Sequence, residues 1–374
     1  MSEADYLLRL RKGAAIAAGC GLLVCALFAL FDLEAVWRAH LVAFFALHTV
    51  PLGCLGVLLI WHLTGGRWGR LLAEPLEAAA RTLPLVVLLG LPVLFDIDGL
   101  FAWARPDYLA AHEIVAAKTA WLDTTFFAWR TLFYLLLWAG LALLVTRPRR
   151  SLVHERRHQG WAGIAAVLLV ASTGFAAVDW SMSLDPTFNS ATYGLILVVG
   201  HLNSGLCFAI LVLCATAEAR ARTSLLERAS RVGLGGLLQG AILLWAYAVA
   251  MEFVTIWSGD LPHNAAWFLA RGEGGWAWVI WIVALAHFVV PFLVLLSSRM
   301  RRELRVVAAM AGLVLLGQLL HMVWQTAPSW GAEVPSPVLM IATFLVSGGI
   351  WTAAFTVTAA TRTHLLPAPA TADE

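Results

Sequence analysis

The stretch Asp179–Gly200, DWSMSLDPTFNSATYGLILVVG, contains the turn around which the rest of the chain is arranged. A long apolar run leads into Asp179, which places this carboxyl at or just inside a membrane surface, where an unpaired charge is costly. Asp185-Pro186 then ends the helix, because proline lacks a backbone N–H and disfavours helical geometry in the preceding residue. A second apolar run begins near Ala191. The stretch therefore predicts a turn between two membrane spans.

Composition agrees with this interpretation. Of the 374 residues, 61% are hydrophobic and 13% are charged, and the mean hydropathy is +0.81. A soluble domain carries roughly 25% charged residues. The composition predicts an all-α, polytopic membrane protein, with residues 1–374 forming a single integral membrane domain and no soluble domain. The net charge of +2 gives no reason to expect a nucleic-acid partner.

Apolar runs long enough to cross a bilayer occur ten times along the chain. The predicted spans are 13–31, 39–63, 83–102, 123–146, 159–181, 191–217, 232–257, 276–298, 304–326 and 337–361. The loop at about 103–122 is the longest on its side of the membrane, and we expect it to hold a short helix.

Basic residues predict the orientation of these spans. With the N-terminus in the cytoplasm, the cytoplasmic segments hold 20 of the 25 lysines and arginines, as the positive-inside rule requires. We expect a multi-pass membrane protein with both termini cytoplasmic. The cytoplasmic set is Arg9, Arg11, Lys12, Arg67, Arg70, Arg81, Arg147, Arg149, Arg150, Arg156, Arg157, Arg220, Arg222, Arg228, Arg231, Arg299, Arg301, Arg302, Arg305 and Arg362.

Tryptophans cluster near the opposite ends of the predicted spans. Such positions are typical of an interfacial aromatic belt, in which the amphipathic rings lie at the level of the lipid headgroups. We expect this belt to contain Trp37, Trp103, Trp121, Trp180, Trp257, Trp276 and Trp330.

Ionisable residues within or beside the spans are the candidate functional groups, since such residues face a bundle interior or a water-filled cavity. Arg130, Asp179 and Glu252 should all lie within roughly 10 Å of the outer surface, at 1.5 Å rise per residue. They are expected to meet in one pocket, where two acids sharing one arginine would leave one acid ionised and the other free to exchange protons. The single histidines are either satisfied contacts between helices or further members of this proton-exchanging pocket; they are His48, His201, His287 and His321.

The same residues bear on two other classes of function. Haem ligation needs two histidines facing each other at one depth, and these four histidines occur singly on four spans. No metal site is expected, because the five cysteines show no C-x-x-C spacing. A secondary transporter would place interrupted spans at matching positions of two halves, for which Pro51, Pro92 and Pro291 give weak support.

Four segments of the chain resemble one family of membrane subunits. They are KTAWLDTTFFAWR (118–130), AVDWSMSLDPTFNSATYG (177–194), WAYAVAMEFVTIWSGDLPHNAAWFLARGEGGW (245–276) and AHFVVPFLVLLSSRMRRE (286–303). Together with ten spans in the same order, they resemble the NrfD-like family of polysulfide reductase membrane subunits, and within it the F subunit of alternative complex III, a quinol:electron-acceptor oxidoreductase.

The resemblance implies two four-helix bundles, spans 2–5 and 6–9, flanked by spans 1 and 10. It also implies a paralogous membrane subunit, multihaem cytochrome c and iron–sulfur subunits as partners, and membrane lipid around them. This chain would hold no redox cofactor and possess no activity of its own; quinol or quinone is the one ligand implied. The expected role is a contribution to a quinol or proton-translocation cavity on the periplasmic side, within a respiratory electron-transport complex of a bacterial inner membrane.

Two alternatives stay open at the level of sequence. The chain could anchor a different periplasmic oxidoreductase, with molybdopterin and iron–sulfur subunits, or it could be a secondary transporter.

Overall fold

The computed structural model describes the backbone of residues 3–147, 152–219 and 233–363, and the side chains of residues 5–147, 160–216 and 233–361. These residues form ten helices that are long and apolar enough to cross a membrane, which confirms an all-α membrane protein. In chain order, spans 1 to 10 are Asp5–Ala29, Leu33–Thr64, Arg67–Leu94, Thr124–Val145, Gly160–Leu184, Tyr193–Thr216, Leu234–Gly259, Gly274–Leu296, Leu304–Glu333 and Pro337–Thr361.

Span 3 differs from its prediction at both ends. Helix Arg67–Ala80 precedes the apolar run, and the run itself is α-helical only over Leu83–Gly90, followed by a 3-10 turn over Leu91–Leu94. Leu72 and Leu76 of the first helix are fully buried. Its basic residues lower the mean hydropathy, so an apolar window overlooks this amphipathic helix. The predicted run to residue 102 is therefore wrong as a single helix.

The two predicted bundles are present. Within spans 2–5, each helix packs on the next and span 5 closes the ring against span 2. Spans 6–9 close a second ring in the same way. Spans 1 and 10 pack against each other, and span 10 joins this pair to span 2.

The two bundles meet where span 2 crosses span 6. A Cβ atom on Gly53 would overlap the backbone carbonyl of His201, and one on Gly205 would overlap the backbone of Gly53. Glycine at both positions permits the close approach of the two backbones, as small residues do between membrane helices. This seam sets the depth of His201, one turn before Gly205.

Span 8 contains a π-helical turn at Ala284–Val289 between two α-helical segments. Pro291 follows it and cannot donate a hydrogen bond to the carbonyl of His287, four residues earlier. The wider turn accommodates this missing bond and directs His287 toward span 9. There, a Cβ atom on Gly317 would lie 2.9 Å from the backbone nitrogen of His287.

Short helices cover one end of the bundles. The long loop holds Pro106–Ala111 and Glu113–Ala116, which confirms the expected helical content there. Lys118 then donates to the carbonyl of Pro186 at 2.6 Å and to Oδ1 of Asn189 at 2.9 Å. Burial lowers the pKa of this lysine. The other short helices at this end are Ile97–Leu100, Ala102–Ala104, Met182–Leu184, Pro262–Gly272 and Ala327–Glu333, whereas Met300–Arg302 lies at the opposite end, between spans 8 and 9.

The aromatic belt is only partly present. Trp257 is 73% exposed, as a belt residue should be, but Trp103 and Trp180 are each 1% exposed. Trp103 donates to Ser183 Oγ at 3.2 Å and Trp180 to Thr131 Oγ1 at 3.0 Å. The belt interpretation is therefore wrong for these two tryptophans, which lie inside the first bundle.

Much of the basic charge that predicted the orientation falls outside the described part of the chain. This applies to Arg149, Arg150, Arg220, Arg222, Arg228 and Arg231, and to the side chains of Arg156, Arg157 and Arg362.

Candidate functional site

The first candidate cluster surrounds Asp179 at the end of span 5. Its carboxylate is fully buried. Arg130 binds it through two nitrogens, Nε to Oδ2 at 2.8 Å and Nη2 to Oδ1 at 2.9 Å. Trp121 Nε1 donates to Oδ1 at 2.8 Å and Tyr134 Oη to Oδ2 at 2.9 Å. Each carboxylate oxygen thus has two donors, which is what a buried charge requires.

Aromatic rings complete the surroundings of Arg130. Its guanidinium carbon lies 4.1 Å from the centroid of Trp121 and 4.2 Å from that of Phe126. Asp123 fixes the start of this span by accepting a hydrogen bond from the backbone nitrogen of Phe126 at 2.8 Å, an N-cap. The sequence-predicted pairing of Arg130 with Asp179 is thus a bidentate, fully enclosed ion pair.

Glu252 does not join this ion pair. Its Oε2 accepts hydrogen bonds from Ser190 at 2.6 Å and from Thr192, while its Oε1 is buried without a partner. Ser190 and Thr192 lie just before span 6, so span 7 presents Glu252 to the second bundle. The expectation that two acids share Arg130 is wrong, because Glu252 takes its hydrogen bonds from hydroxyl groups.

A second ion pair was not predicted from the sequence. Arg271 is 1% exposed, and its Nη2 donates to Asp185 Oδ2 at 2.8 Å, to Ser329 Oγ at 2.6 Å and to the carbonyl of Gln325 at 2.9 Å. Its guanidinium carbon lies 3.9 Å from the centroid of the Trp267 ring. Burial lowers the pKa of Arg271, while the charge of Asp185 raises it. Arginine remains charged because its starting pKa is above 12.

This second ion pair ties together three connections between spans. Asp185 belongs to the turn after span 5, Arg271 to the helix before span 8, and Ser329 to the 3-10 segment that ends span 9. The sequence identifies Asp185 only as a helix breaker before Pro186. Its 86-residue separation from Arg271 left no local pattern that could have revealed the contact.

His48 and His201 form a pair at the seam between the bundles. Their Nε2 atoms lie 3.1 Å apart, and both Nδ1 atoms contact backbone carbonyls, of Phe44 and Leu197 respectively. Two histidines on different spans therefore face each other, although each span carries only one of them. However, an ion between two imidazoles needs about 4 Å between the nitrogens, twice a metal–nitrogen distance of roughly 2 Å. The pair fits a shared proton better than a shared metal.

The second-bundle cluster, defined here as Asn203, Trp245, His287, Gln318 and His321, lies inside spans 6–9. Asn203 Nδ2 is 3.2 Å from His287 Nε2, and the Trp245 ring stacks on His287 with centroids 3.8 Å apart. The His321 ring meets the edge of Trp245 at 5.2 Å. All five side chains are buried.

Many polar atoms of this bundle have no hydrogen-bond partner. Among the described residues, 12 buried side-chain nitrogens and oxygens are unpartnered. Nine of them belong to spans 6–9 and their connections: Asn203 Oδ1, Trp245 Nε1, Glu252 Oε1, Arg271 Nε, His287 Nδ1, Gln318 Nε2, Gln318 Oε1, His321 Nδ1 and Gln325 Oε1. Because an unsatisfied buried polar group costs free energy, a concentration of this kind points to a functional site.

The structure therefore divides the seven predicted site residues into separate groups. Arg130 and Asp179 form the first cluster, His48 and His201 the seam pair, and Glu252, His287 and His321 belong to the second bundle. Asn203, Gln318 and Trp245 were missed because amides and tryptophan in a span are not ionisable. A polar side chain repeated on one helical face, as for Gln318, His321 and Gln325, is the pattern that could have found them.

No protein-family model matches the chain, and no curated protein matches it significantly.

Proposed function

We propose that this chain is a membrane subunit of a quinol-oxidising electron-transfer complex of the alternative complex III type. In this proposal the second bundle transfers the protons that quinol oxidation releases. The observation that supports the proposal is the set of unpartnered polar atoms in the interior of that bundle. Such a set fits groups that exchange protons or bind a polar headgroup. Polar atoms buried without a partner lower the stability of the fold, so a structural role alone does not account for them.

Glu252 is the group that we assign to proton exchange. It is 5% exposed, has no arginine bonded to it, and retains one oxygen without a partner. The neighbouring hydroxyls of Ser190 and Thr192 can both accept and donate, so a proton can move along them. Asp179 is assigned a structural role instead, since Arg130, Trp121 and Tyr134 occupy both of its oxygens.

Oxidation of a quinol releases two protons and two electrons. In the proposed complex the electrons pass to haem and iron–sulfur groups of partner chains, and the protons leave by way of Glu252 and the histidines of the second bundle. The end of the bundles covered by the short helices then faces the periplasm, where those partners bind. A reporter joined within 147–158 should register as cytoplasmic and one joined at Gly272 as external; the same side for both would contradict this orientation.

The test of the proposal is purification of the tagged chain from its native membranes in a mild detergent. We expect haem-bearing and iron–sulfur chains, together with a second membrane subunit of the same family, and quinol:acceptor activity. A molybdopterin subunit without haem chains would support the alternative anchor role. Recovery of the chain alone, or quinol oxidation by the pure single chain, would contradict the proposal.

Within the purified complex, Glu252→Gln should keep the subunits together and slow quinol-driven turnover by roughly 10²-fold, the usual contribution of a positioned proton-transfer group. Glu273→Gln is the matched control, because Glu273 is an exposed acid just before span 8. Equal turnover of the two assembled variants would refute the assignment of Glu252.

A further inference from the structure

A groove of about 670 Å³ lies between spans 1 and 10. Spans 1 and 10 run antiparallel, since Ala14 lies opposite Gly349 and Gly21 opposite Ala342. The lining of the groove is apolar apart from the end at which Tyr6, Arg9 and Thr352 lie. The complete lining is Tyr6, Arg9, Leu10, Gly13, Ala14, Ala17, Phe344, Leu345, Gly348, Gly349 and Thr352.

The dimensions of this groove match one leaflet of a bilayer. From Tyr6 to Ala17 the helix rises roughly 16 Å at 1.5 Å per residue. Half of a hydrocarbon core is about 15 Å. The groove therefore lies within one leaflet. A guanidinium and a phenol at the membrane surface, followed by an apolar channel of roughly 10 Å from Leu10 to Ala17 at 1.5 Å per residue, match the headgroup and the adjoining part of an acyl chain of one lipid. The volume falls within the range of about 300–1,000 Å³ that small-molecule sites have.

We propose that the groove binds an anionic phospholipid of the leaflet on the Arg9 side. The phosphate lies against Arg9, whose planar guanidinium can bind two phosphate oxygens, and the Tyr6 hydroxyl donates to it. One acyl chain fills the channel between Gly13 and Gly348. Basic pockets between membrane helices bind acidic headgroups in this way. Neither Glu252 nor the quinol assignment enters this inference, so it stands independently of the proposed function.

The lipid also stabilises a weakly packed element. Span 1 exposes Ile16, Leu22 and Leu23 by 60–69%, and its main contact in the protein is span 10. A lipid that touches both helices adds apolar contact on the side that the protein leaves open.

Two pairs of variants test the site. A Cβ atom on either Gly13 or Gly19 would meet no atom within 4 Å, so both positions accept a larger side chain. Only Gly13 lines the groove, so Gly13→Leu should fill it while Gly19→Leu serves as the control. Similarly, Arg9→Gln removes the charge inside the groove, and Lys12→Gln removes one outside it.

The measurement is native mass spectrometry of the full chain in detergent, titrated with phosphatidylglycerol or with phosphatidylcholine of the same acyl chains. We expect one phosphatidylglycerol bound more tightly than phosphatidylcholine. Affinity should fall about fivefold in Arg9→Gln, the contribution of one basic residue at an anionic surface. It should be lost in Gly13→Leu and unchanged in both controls.

Three results would overturn the proposal. One is equal binding of the two lipids with no effect of Arg9→Gln, which would indicate unselective apolar contact. Another is unchanged binding in Gly13→Leu, which would place the lipid elsewhere. The third is a lipid-free dimer that Gly13→Leu disrupts, which would make the groove a contact between two copies of the chain.

Discussion

In the first bundle the buried carboxylate of Asp179 accepts four hydrogen bonds, whereas in the second bundle neither amide atom of the buried Gln318 has a partner. Each bundle is a ring of four helices, and the two bundles meet at one seam. The first uses polar groups to hold helices together, since each oxygen of the Asp179 carboxylate has two donors, although Nη1 of Arg130 has no partner. The second keeps polar groups available, at a cost to stability that a purely structural role does not explain.

The contrast extends to the two arginines. Arg130 binds a fully buried acid in span 5, while Arg271 binds Asp185, whose side chain is 30% exposed. The first pair is therefore isolated from water and the second borders it. Loss of the first should damage folding more than loss of the second.

The largest effect is expected from Asp179→Asn. This change leaves Arg130 buried without a counter-charge, which costs about 3–5 kcal/mol. We expect a strongly reduced yield of folded protein and a lower temperature of thermal unfolding in detergent. Asp107→Asn, at an exposed acid of the long loop, is the control. An unfolding temperature for Asp179→Asn equal to that of the control would show that the ion pair is not structural.

An intermediate effect, of opposite sign in the two bundles, is expected from a pair of nearly isosteric changes. Tyr134→Phe removes one hydrogen bond to the buried carboxylate and should destabilise by about 1.5–3 kcal/mol, the value for a bond to a charged group. Gln318→Met removes two unpartnered polar atoms from a fully buried side chain. It should leave stability unchanged or raise it by about 1 kcal/mol.

Thermal unfolding of the two variants side by side checks this difference in sign. If Gln318→Met destabilised the protein as much as Tyr134→Phe, then Gln318 would be satisfied in the membrane, and the two bundles would not differ in the way described above.

The sequence was a good guide wherever one residue type carries a large free-energy cost. Hydropathy placed six of the ten spans within three residues at both ends, while spans 1 and 2 begin earlier and span 9 ends later than predicted. The cost of a charge in a membrane singled out Arg130 and Asp179. Hydropathy failed at span 3, where Arg67–Ala80 is amphipathic and helical.

Contacts between distant helices were harder to predict. In a span that is apolar on all sides, no polar stripe shows which face points to the bundle interior. The contact between His48 and His201 depends on the close approach of the two helices at Gly53 and Gly205, which the sequence does not reveal. The same reason explains why Glu252 was assigned to the wrong partner. The pairing of Arg271 with Asp185 joins the helix before span 8 to the turn after span 5, and no periodic pattern links residues 86 positions apart.

The smallest effect compares how span 4 and span 8 begin. Asp123 caps span 4 through its side chain, whereas Glu273 occupies the same position before span 8 with no side-chain cap. A cap of this type contributes about 1 kcal/mol, because it satisfies a backbone N–H that the first turn leaves without a partner. Asp123→Ala should therefore lower stability by about 1 kcal/mol.

Glu273→Ser should raise stability by a similar or smaller amount, since serine is short enough to reach the backbone of the first turn. Thermal unfolding of the single variants and of the double variant measures both, and independent sites should give additive shifts. A loss of stability in Glu273→Ser would show that the glutamate already stabilises the start of span 8 by another contact, and that the two bundles begin their helices in equally well satisfied ways.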